Sequence, residues 1–473
     1  MYAGLQFAYW LTLHGFVTVV SVLLYAITSH VRQQRRHPTA AIAWVLFILL
    51  MPYLALPAFL TFGSRKLPRP RGRPTLLLSG AEADARGAGV PWPVRTALSL
   101  GQAPPASYDG LQVHADGHAA LEALWQTIAG ARHSIDLCTF IIGRDAIGLE
   151  LIERLCAKAR SGIRVRVLLD GLGSLMRSRP NLRPLRAAGA QFRLFVPPLH
   201  SPLKGRTNLR NHRKMLVADA THETRRLWCG GRNLACEYFE GSVGEPPWLD
   251  LTFDLRGLAA AQAADLFEHD WSFANGIAGV APPPEGRDTA STARSTETAQ
   301  LVASGPDQTD DTVYALLVTA AYRARRRIQL ATPYFVPDAA LLMALCMAAR
   351  RGVKVDLLLP ARSNHPLSDM ARRRALRALA AAGGRIWLTP GMMHAKLAVF
   401  DDVLALSGSA NLDSRSLFLN YELMMAFGDP AAVAGFARWF AGEQVHSSAY
   451  VPDRPGFASD VADGLVLWLA FQL

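Results

Sequence analysis

Two stretches of the sequence share one pattern of polar residues, and this duplication constrains the fold more than any other feature. Residues 208–233 read NLRNHRKMLVADATHETRRLWCGGRN, and residues 394–411 read HAKLAVFDDVLALSGSAN. In each copy a His-x-Lys pair and an Asp are followed by a turn of small residues and an Asn. The matching residues are His212, Lys214, Asp219 and Asn233 in the first copy and His394, Lys396, Asp401 and Asn411 in the second. Such an internal repeat predicts two similar structural units.

The spacing of the motif indicates the chemistry that it could support. If each copy forms a strand, side chains alternate between two faces, so His and Lys share one face and Asp points to the other. One imidazole could then attack phosphorus while a second protonates the leaving oxygen and ammonium groups hold phosphate oxygens. A single HxK matches often by chance, and a single His is usually structural, whereas the duplicated pattern is far more specific. The two copies therefore predict one shared active site for phosphodiester chemistry.

Further segments accompany the two motifs. They are NLRNHRK, the EYF after Asn233, SGPD at 304–307, ATPYFVPD at 331–338 and GSANLDSRSLFLNYE at 408–422. From Ala40 to Ser447 the chain thereby resembles the bacterial cardiolipin synthases of the phospholipase D superfamily. This resemblance implies an α/β fold in which two similar phospholipase D-type mixed-sheet domains share one active-site cleft. It also implies that one phosphatidylglycerol donates a phosphatidyl group to another through a phosphohistidine, giving cardiolipin and glycerol.

An attacking imidazole must be neutral and held in one tautomer, usually by a carboxylate. The strand geometry excludes Asp219 and Asp401 from this task. Asp250 and Glu422 are better candidates, because each lies in a hydrophobic strand downstream of a motif, where an ionised carboxylate needs a partner. By the resemblance, Asp250 would orient His212, and Glu422 would orient His394.

The resemblance assigns roles to two groups of residues. The catalytic group is His212, Lys214, Asp219, His394, Lys396 and Asp401, with His212 the nucleophile and His394 the general acid and then base. The phosphate-binding or supporting group is Asn233, Ser409, Asn411, Asp250 and Glu422. The first copy departs from the second where Gly231 replaces the serine, so it offers no hydroxyl there. The sequence contains neither a run of carboxylates typical of a calcium or magnesium site nor a GxxxxGK[ST] loop, which predicts catalysis without a metal or other cofactor.

Two apolar runs precede the repeated region. Residues 5–28 contain no Lys, Arg, Asp or Glu, and residues 40–62 form a second run with Pro52 and Pro57. Both are long enough to cross a hydrocarbon layer as helices, which predicts a transmembrane helical hairpin within residues 1–66; a buried hairpin in a soluble domain is the alternative. The remaining predicted regions are a linker at 67–109, the first half at 110–275, a linker at 276–298 and the second half at 299–473.

Charge and cysteine content bear on partners and location. The 50 Lys+Arg against 38 Asp+Glu give a net charge of +12, which indicates an anionic partner or an Arg-rich solvated surface. A membrane-tethered phospholipase D or a nuclease of the same superfamily would also fit. The apolar runs would place the site beside lipid, and no aromatic–basic stretch is evident, so a phospholipid is favoured over nucleic acid. The resemblance implies that this phospholipid is phosphatidylglycerol. A non-enzymatic scaffold is disfavoured, since both motifs are intact.

The five cysteines show no metal-ligand spacing, which predicts reduced thiols. Five Lys and Arg residues follow the second apolar run, against three Arg between the runs. Both features favour a cytoplasmic catalytic region, and the resemblance implies a multi-pass protein of the bacterial inner membrane. The number of associating chains stays open, as does the use of phosphatidylethanolamine as a donor.

Overall fold

The computed structural model describes residues 2–31, 38–62, 90–176, 180–197, 208–242, 244–276, 297–308, 310–453, 455–456, 463–464 and 466. The chain forms two compact units, one containing the N-terminal helices and the other containing the two large β-sheets. The predicted linkers at 67–109 and 276–298 lie mostly outside the described residues. The described end of the first linker carries helix α4 (Trp92–Ser99) and strand β1 (Ala106–Ser107).

Three helices form the N-terminal unit. They are α1 (Tyr2–Val31), α2 (Pro38–Leu50) and α3 (Pro52–Phe62). The sequence predicted one helix over 40–62, but the run divides at Met51, because Pro52 begins a new helix where its missing N–H and fixed φ are tolerated. Among the helices that the structure describes, none combines the length and the apolar character needed to cross a membrane. The predicted spans at 5–28 and 40–62 are therefore not confirmed.

A seven-stranded mixed sheet is the basis of the first half of the larger unit. Its elements are β2 (Asp109–His114), α5 (Gly117–Gly130), β3 (Ser134–Thr139), α6 (Ala146–Arg160), β4 (Arg164–Leu169), α7 (Gly173–Met176), α8 (Arg183–Ala187), β5 (Gln191–Leu194), β6 (Arg210–Asn211), β7 (Met215–Ala218), β8 (Arg226–Gly230), β9 (Thr252–Arg256) and α9 (Leu258–Ala274). The strand order is β2-β9-β8-β7-β3-β4-β5, with β3, β4 and β5 parallel. Apolar side chains of α5 and α6, such as Leu124 and Leu151, are buried against this sheet.

The second half repeats this arrangement. Its elements are β10 (Thr298–Ser304), α10 (Thr312–Arg323), β11 (Arg327–Ala331), β12 (Phe335–Val336), α11 (Ala339–Arg350), β13 (Lys354–Pro360), α12 (Pro366–Ala381), β14 (Arg385–Thr389), β15 (Leu397–Phe400), β16 (Leu404–Gly408), β17 (Leu412–Asp413), α13 (Ser414–Phe418), β18 (Asn420–Phe427), α14 (Pro430–Val445) and β19 (Ser448–Ala449). Its sheet contains β10-β18-β16-β15-β11-β13-β14 in that order, which matches the first sheet strand for strand. The prediction of an α/β fold with two similar mixed sheets is confirmed.

The two halves exchange short segments of backbone. Strand β6 of the first half pairs in parallel with β18 of the second, and Leu249 forms a parallel bridge with Met393. The backbone N–H of His212 donates to the carbonyl of Tyr421 over 2.9 Å, and that of His394 donates to the carbonyl of Leu249 over 2.7 Å. Each HxK segment is thus held by backbone of the opposite half.

Candidate active site

Both HxK pairs lie immediately before a strand. Residues 212–214 connect β6 to β7, and residues 394–396 lead into β15. The prediction that His and Lys share one face of a strand is therefore wrong in detail. Their backbone turns toward the opposite half, as the two cross-half hydrogen bonds require, and brings both imidazoles to the junction of the sheets.

The carboxylate partners of the two histidines are crossed between the halves. His212 Nδ1 lies 3.1 Å from Glu422 Oε2, and His394 Nδ1 lies 2.8 Å from Asp250 Oδ2. The sequence-based pairing of Asp250 with His212 and of Glu422 with His394 is therefore wrong. The reason is the backbone exchange: β6 pairs with β18, which carries Glu422, and Leu249 bridges to the residue before His394. Each dyad contains one residue from each half.

Four side chains donate to the fully buried Glu422 carboxylate. The three besides His212 are Ser409 Oγ at 2.6 Å, Ser416 Oγ at 2.6 Å and Asn420 Nδ2 at 3.3 Å. Burial raises the pKa of Glu422, but the interactions with His212 and Lys214 and these hydrogen bonds outweigh it and lower the pKa below its usual value. The carboxylate is therefore ionised. Ser416 and Asn420 were not predicted; their signal was the density of polar residues in SRSLFLNYE before a hydrophobic strand.

Asp250 is held differently. Its Oδ1 accepts the N–H of Leu251 over 2.7 Å, and a Cβ at Gly231 would lie 2.2 Å from the same oxygen. A side chain at position 231 would therefore displace the carboxylate, which explains why the first copy has glycine where the second has serine. Although burial raises the pKa of Asp250, His394, Lys396 and the buried Arg232 together lower it.

Two buried lysines complete the charged cluster. Lys214 Nζ donates to the carbonyl of His212 over 2.8 Å, and Lys396 Nζ lies 2.8 Å and 3.0 Å from the two ring nitrogens of His394. Burial lowers the pKa of Lys214 to about 8 and that of Lys396 to about 7, and each lysine interacts electrostatically with both carboxylates. The two half-sites therefore form a single electrostatic site.

The imidazoles are neutral in the free protein. Burial and the adjacent Lys396 lower the pKa of His394 to about 3, while burial also lowers the pKa of His212. Aromatic rings cover both: Phe140 lies edge-on to His212 at 5.1 Å between centroids, and Tyr238 lies edge-on to His394 at 5.2 Å. A neutral, oriented imidazole beside a lysine can act as a nucleophile or a base toward an anionic substrate.

The motif aspartates lie at the far ends of β7 and β15. Asp219 and Asp401 adopt left-handed backbone conformations, with φ of 50° and 51°. Asp219 accepts the backbone N–H groups of residues 132, 133 and 134, and Asp401 accepts those of residues 325, 326 and 327. Both were predicted in the catalytic group, but the structure makes them anchors between neighbouring strands.

The motif asparagines occupy corresponding places in the two halves. Asn233 Nδ2 donates to Tyr238 Oη over 2.7 Å, and the N–H of Asn411 donates to Ser416 Oγ over 2.8 Å. Within the described residues, both Oδ1 atoms are buried without a hydrogen-bond partner. They are acceptors that a substrate hydroxyl could use. The described chain brings no three His, Cys, Asp or Glu side chains together as metal ligands.

The duplicated sheets and the paired histidines and lysines define a phospholipase D-like protein. A family model described as "Cardiolipin synthase, PLD-like domain" matches residues 124–246 and 317–443, and a "Phospholipase_D-nuclease N-terminal" model matches residues 19–64. The chain belongs to this family of PLD-like cardiolipin synthases.

Curated relatives resemble the chain over most of its length. Cardiolipin synthase A of Pseudomonas aeruginosa (strain LESB58) is 30% identical over 456 residues, which cover 92% of this chain and 90% of the relative. Cardiolipin synthase A of Escherichia coli O1:K1 / APEC is 31% identical over 448 residues, 90% of each chain. Among solved structures, phosphatidylserine synthase of Haemophilus influenzae Rd KW20 superposes with a TM-score of 0.57 and 14% identity, covering 80% of this chain and 100% of that one. This last similarity shows the fold alone.

Proposed function

We propose that the protein is a membrane-associated cardiolipin synthase that transfers a phosphatidyl group from one phosphatidylglycerol to another. The observation that carries this proposal is the crossed pair of dyads: two neutral imidazoles, each bonded to a carboxylate of the opposite half, share one cluster with two lysines. The similarity to cardiolipin synthases over most of the chain supports the choice of lipid.

In the first displacement His212 Nε2 attacks the phosphorus of the donor while Glu422 holds the other ring nitrogen. The phosphorus–oxygen bond to glycerol breaks, and His394 gives its proton to the departing oxygen. His394 must acquire this proton when substrate binds, because its pKa is about 3 in the free protein. A phosphodiester anion beside Lys214 and Lys396 offsets their positive charge and raises the pKa of His394.

The second displacement reverses the proton flow. A hydroxyl of the second phosphatidylglycerol loses its proton to His394, its oxygen bonds to phosphorus, and the phosphorus–nitrogen bond to His212 breaks. Lys214 and Lys396 stabilise the charge on the phosphate oxygens in both steps. The products are cardiolipin and glycerol, and both histidines return to their starting states.

We assign the catalytic halves to residues 110–275 and 299–473 and the membrane contact to the N-terminal helices. Large apolar side chains of these helices are exposed, among them Trp10, Phe16 and Leu50 at 65%, 68% and 75%. Exposed apolar surface of this kind is typical of membrane contact. The five free cysteines support a cytoplasmic position of the catalytic unit at the bacterial inner membrane.

The full-length protein in detergent, incubated with phosphatidylglycerol labelled in its terminal glycerol, tests the proposal. We expect one cardiolipin for each labelled glycerol released and no product from His212→Ala. Phosphatidic acid in place of cardiolipin would identify a phospholipase D that uses water. Cleavage of nucleic acid without any lipid turnover would identify the superfamily's nuclease activity and refute the proposal.

A further inference from the structure

Asp270 on α9 contacts both residues that flank His212. Asn211 Nδ2 donates to Asp270 Oδ2 over 2.8 Å, and the guanidinium of Arg213 donates to Asp270 Oδ1. The side chains of Arg213 and Asp270 are completely buried. One carboxylate therefore holds the chain immediately before and immediately after this histidine.

Arg213 also reaches the second half. Its Nε donates to the backbone carbonyl of Glu422 over 3.1 Å, and its second terminal nitrogen donates to the carbonyl of Ser304 over 3.2 Å. The same side chain thus connects Asp270, the segment next to His212 and the backbone of the residue that bonds to the imidazole. We call Asp270, Asn211 and Arg213 the Asp270 clamp.

Among the described residues of the second half, no equivalent arrangement flanks His394. The residues that flank His394 are Met393 and Ala395, which have no side-chain groups that could form ion pairs. Burying an Arg–Asp pair has a large desolvation cost, and an apolar pair of similar volume often stabilises a fold as well or better. Since the second half folds with apolar residues here, folding alone does not account for the charged clamp of the first half.

We propose that Asp270 and Arg213 are positioning residues, which hold His212 against Glu422 while the nucleophile gains and loses the phosphatidyl group. The inference rests on the proposed function, because it concerns the nucleophile of that reaction. Neither residue contacts the reacting atoms; both act through the His212–Glu422 bond. Displacing a reacting group by about 1 Å can lower a rate on the order of 10²-fold.

The expected pH dependence follows from the groups that face His212. Glu422 raises the pKa of this imidazole, whereas Lys214 and Lys396 lower it. Without the clamp the bond to Glu422 weakens, so the pKa of His212 falls further. The acidic limb of the kcat profile, which requires neutral His212 in the substrate complex, then moves to lower pH, and the basic limb set by His394, whose pKa rises when substrate binds, stays in place. His269, 3.5 Å from Asp270 and 3.6 Å from Asp307, also lies near the clamp.

Four full-length variants test the clamp: Arg213→Met, Asp270→Asn, their double variant and Arg166→Met. Arg166 is the matched control, because it is a buried arginine that pairs with Asp136 and with Glu268 on α9, each over 2.7 Å, without contacting the HxK segment. We expect kcat to fall on the order of 10²-fold in both single clamp variants with little change in KM. Arg166→Met should lower Tm but leave the pH profile in place.

The double variant distinguishes the loss of His212 positioning from the cost of leaving one buried charge unpaired. It removes both charges, so its Tm should recover relative to the single variants, yet its low kcat and shifted acidic limb should persist. Recovery of the wild-type rate and profile in the double variant would overturn the inference. So would single variants that behave like Arg166→Met.

A second measurement does not depend on lipid turnover. Diethylpyrocarbonate modifies neutral imidazole, so the pH dependence of His212 modification, mapped by mass spectrometry, reports the pKa of His212. A lower midpoint in the clamp variants supports the inference, and an unchanged midpoint rejects it. Failure of the wild-type protein to produce cardiolipin would instead reject the proposed function.

Discussion

Glu422→Gln and Asp250→Asn should affect different steps, because the dyads are crossed. Glu422 bonds to His212, which we assign as the nucleophile, whereas Asp250 bonds to His394, the proton donor. Glu422→Gln should therefore prevent formation of the phosphatidyl-enzyme. Asp250→Asn should still permit it from a donor whose leaving group needs no proton.

The size of the effect follows from the contacts of Glu422. Its carboxylate accepts from His212, Ser409, Ser416 and Asn420, and an amide that replaces one oxygen with NH₂ can accept from only some of them. The imidazole then loses the group that fixes its tautomer. In a Ser-His-Asp triad the comparable substitution lowers kcat about 10⁴-fold. That factor corresponds to about 5 kcal/mol of transition-state stabilisation, and we expect a loss of about 10³- to 10⁴-fold here.

A labelled phosphatidyl donor with an activated leaving group, followed by rapid quenching and mapping of acid-labile phosphohistidine, is the suitable assay. Wild-type protein and Asp250→Asn should carry label on the His212 peptide, whereas Glu422→Gln and His212→Ala should carry none. His394→Ala should behave like Asp250→Asn. Turnover of phosphatidylglycerol itself should fall in all four variants, since glycerol leaves only with a proton.

The crossed arrangement would be refuted if the Glu422→Gln variant carried label on His212 and the Asp250→Asn variant carried none. That result would instead support pairing of each histidine with the carboxylate of its own half. Label on the His394 peptide that survives in His212→Ala would reverse the roles of the two histidines. Absence of label in active wild-type protein would favour direct transfer between lipids.

Three further predictions concern stability, packing and charge. Ala at Asp219 or Asp401 should destabilise the protein by about 1–3 kcal/mol, because it removes the acceptor of three backbone N–H groups, while the activity of the folded fraction persists; thermal unfolding and low-temperature assays check this. Gly231→Ser should displace the neighbouring carboxylate and lower cardiolipin formation by at least about tenfold, with secondary structure by circular dichroism unchanged. Vanadate inhibition should weaken as pH rises from 6 to 9, because Lys396 and Lys214, with pKa values of about 7 and 8, lose their charges; the inhibition constant should rise across this window.

Local patterns predicted the repeated core well. The apolar spacing of residues 327–332 predicts a strand, and that of residues 339–351, followed by Gly352, predicts a helix. The structure has these elements at Arg327–Ala331 and Ala339–Arg350, because such signals act within a few residues. The same local patterns placed the HxK residues inside strands. The prediction was wrong because nothing in the local sequence shows that the backbone N–H groups of the histidines bond to the opposite half. Pro52 lies inside the run predicted as one helix, yet it begins a separate helix.

Contacts between distant residues were beyond the reach of the sequence. His212 and Glu422 are 210 positions apart, and only the pairing of β6 with β18 shows that they meet. Chain order suggested the opposite assignment, in which each histidine takes the carboxylate of its own half. The clamp was missed because Arg213 and Asp270 are 57 positions apart. The acidic residues Glu268 and Asp270 among the aromatic and apolar residues of LFEHDWSF were the available signal.

The crossing of the dyads also concerns the origin of the duplication. A two-fold interface between identical chains matches residue i of one copy with residue j of the other, and j with i. In a two-fold dimer of single halves, each chain would pair its histidine with the partner's carboxylate and its carboxylate with the partner's histidine. Fusion of two gene copies would preserve this arrangement. Neither half then inherits a complete dyad. A chimaera could combine one half of this protein with the other half of a relative. Each imidazole would then bond to a carboxylate from the other protein. The two halves must therefore change together during evolution.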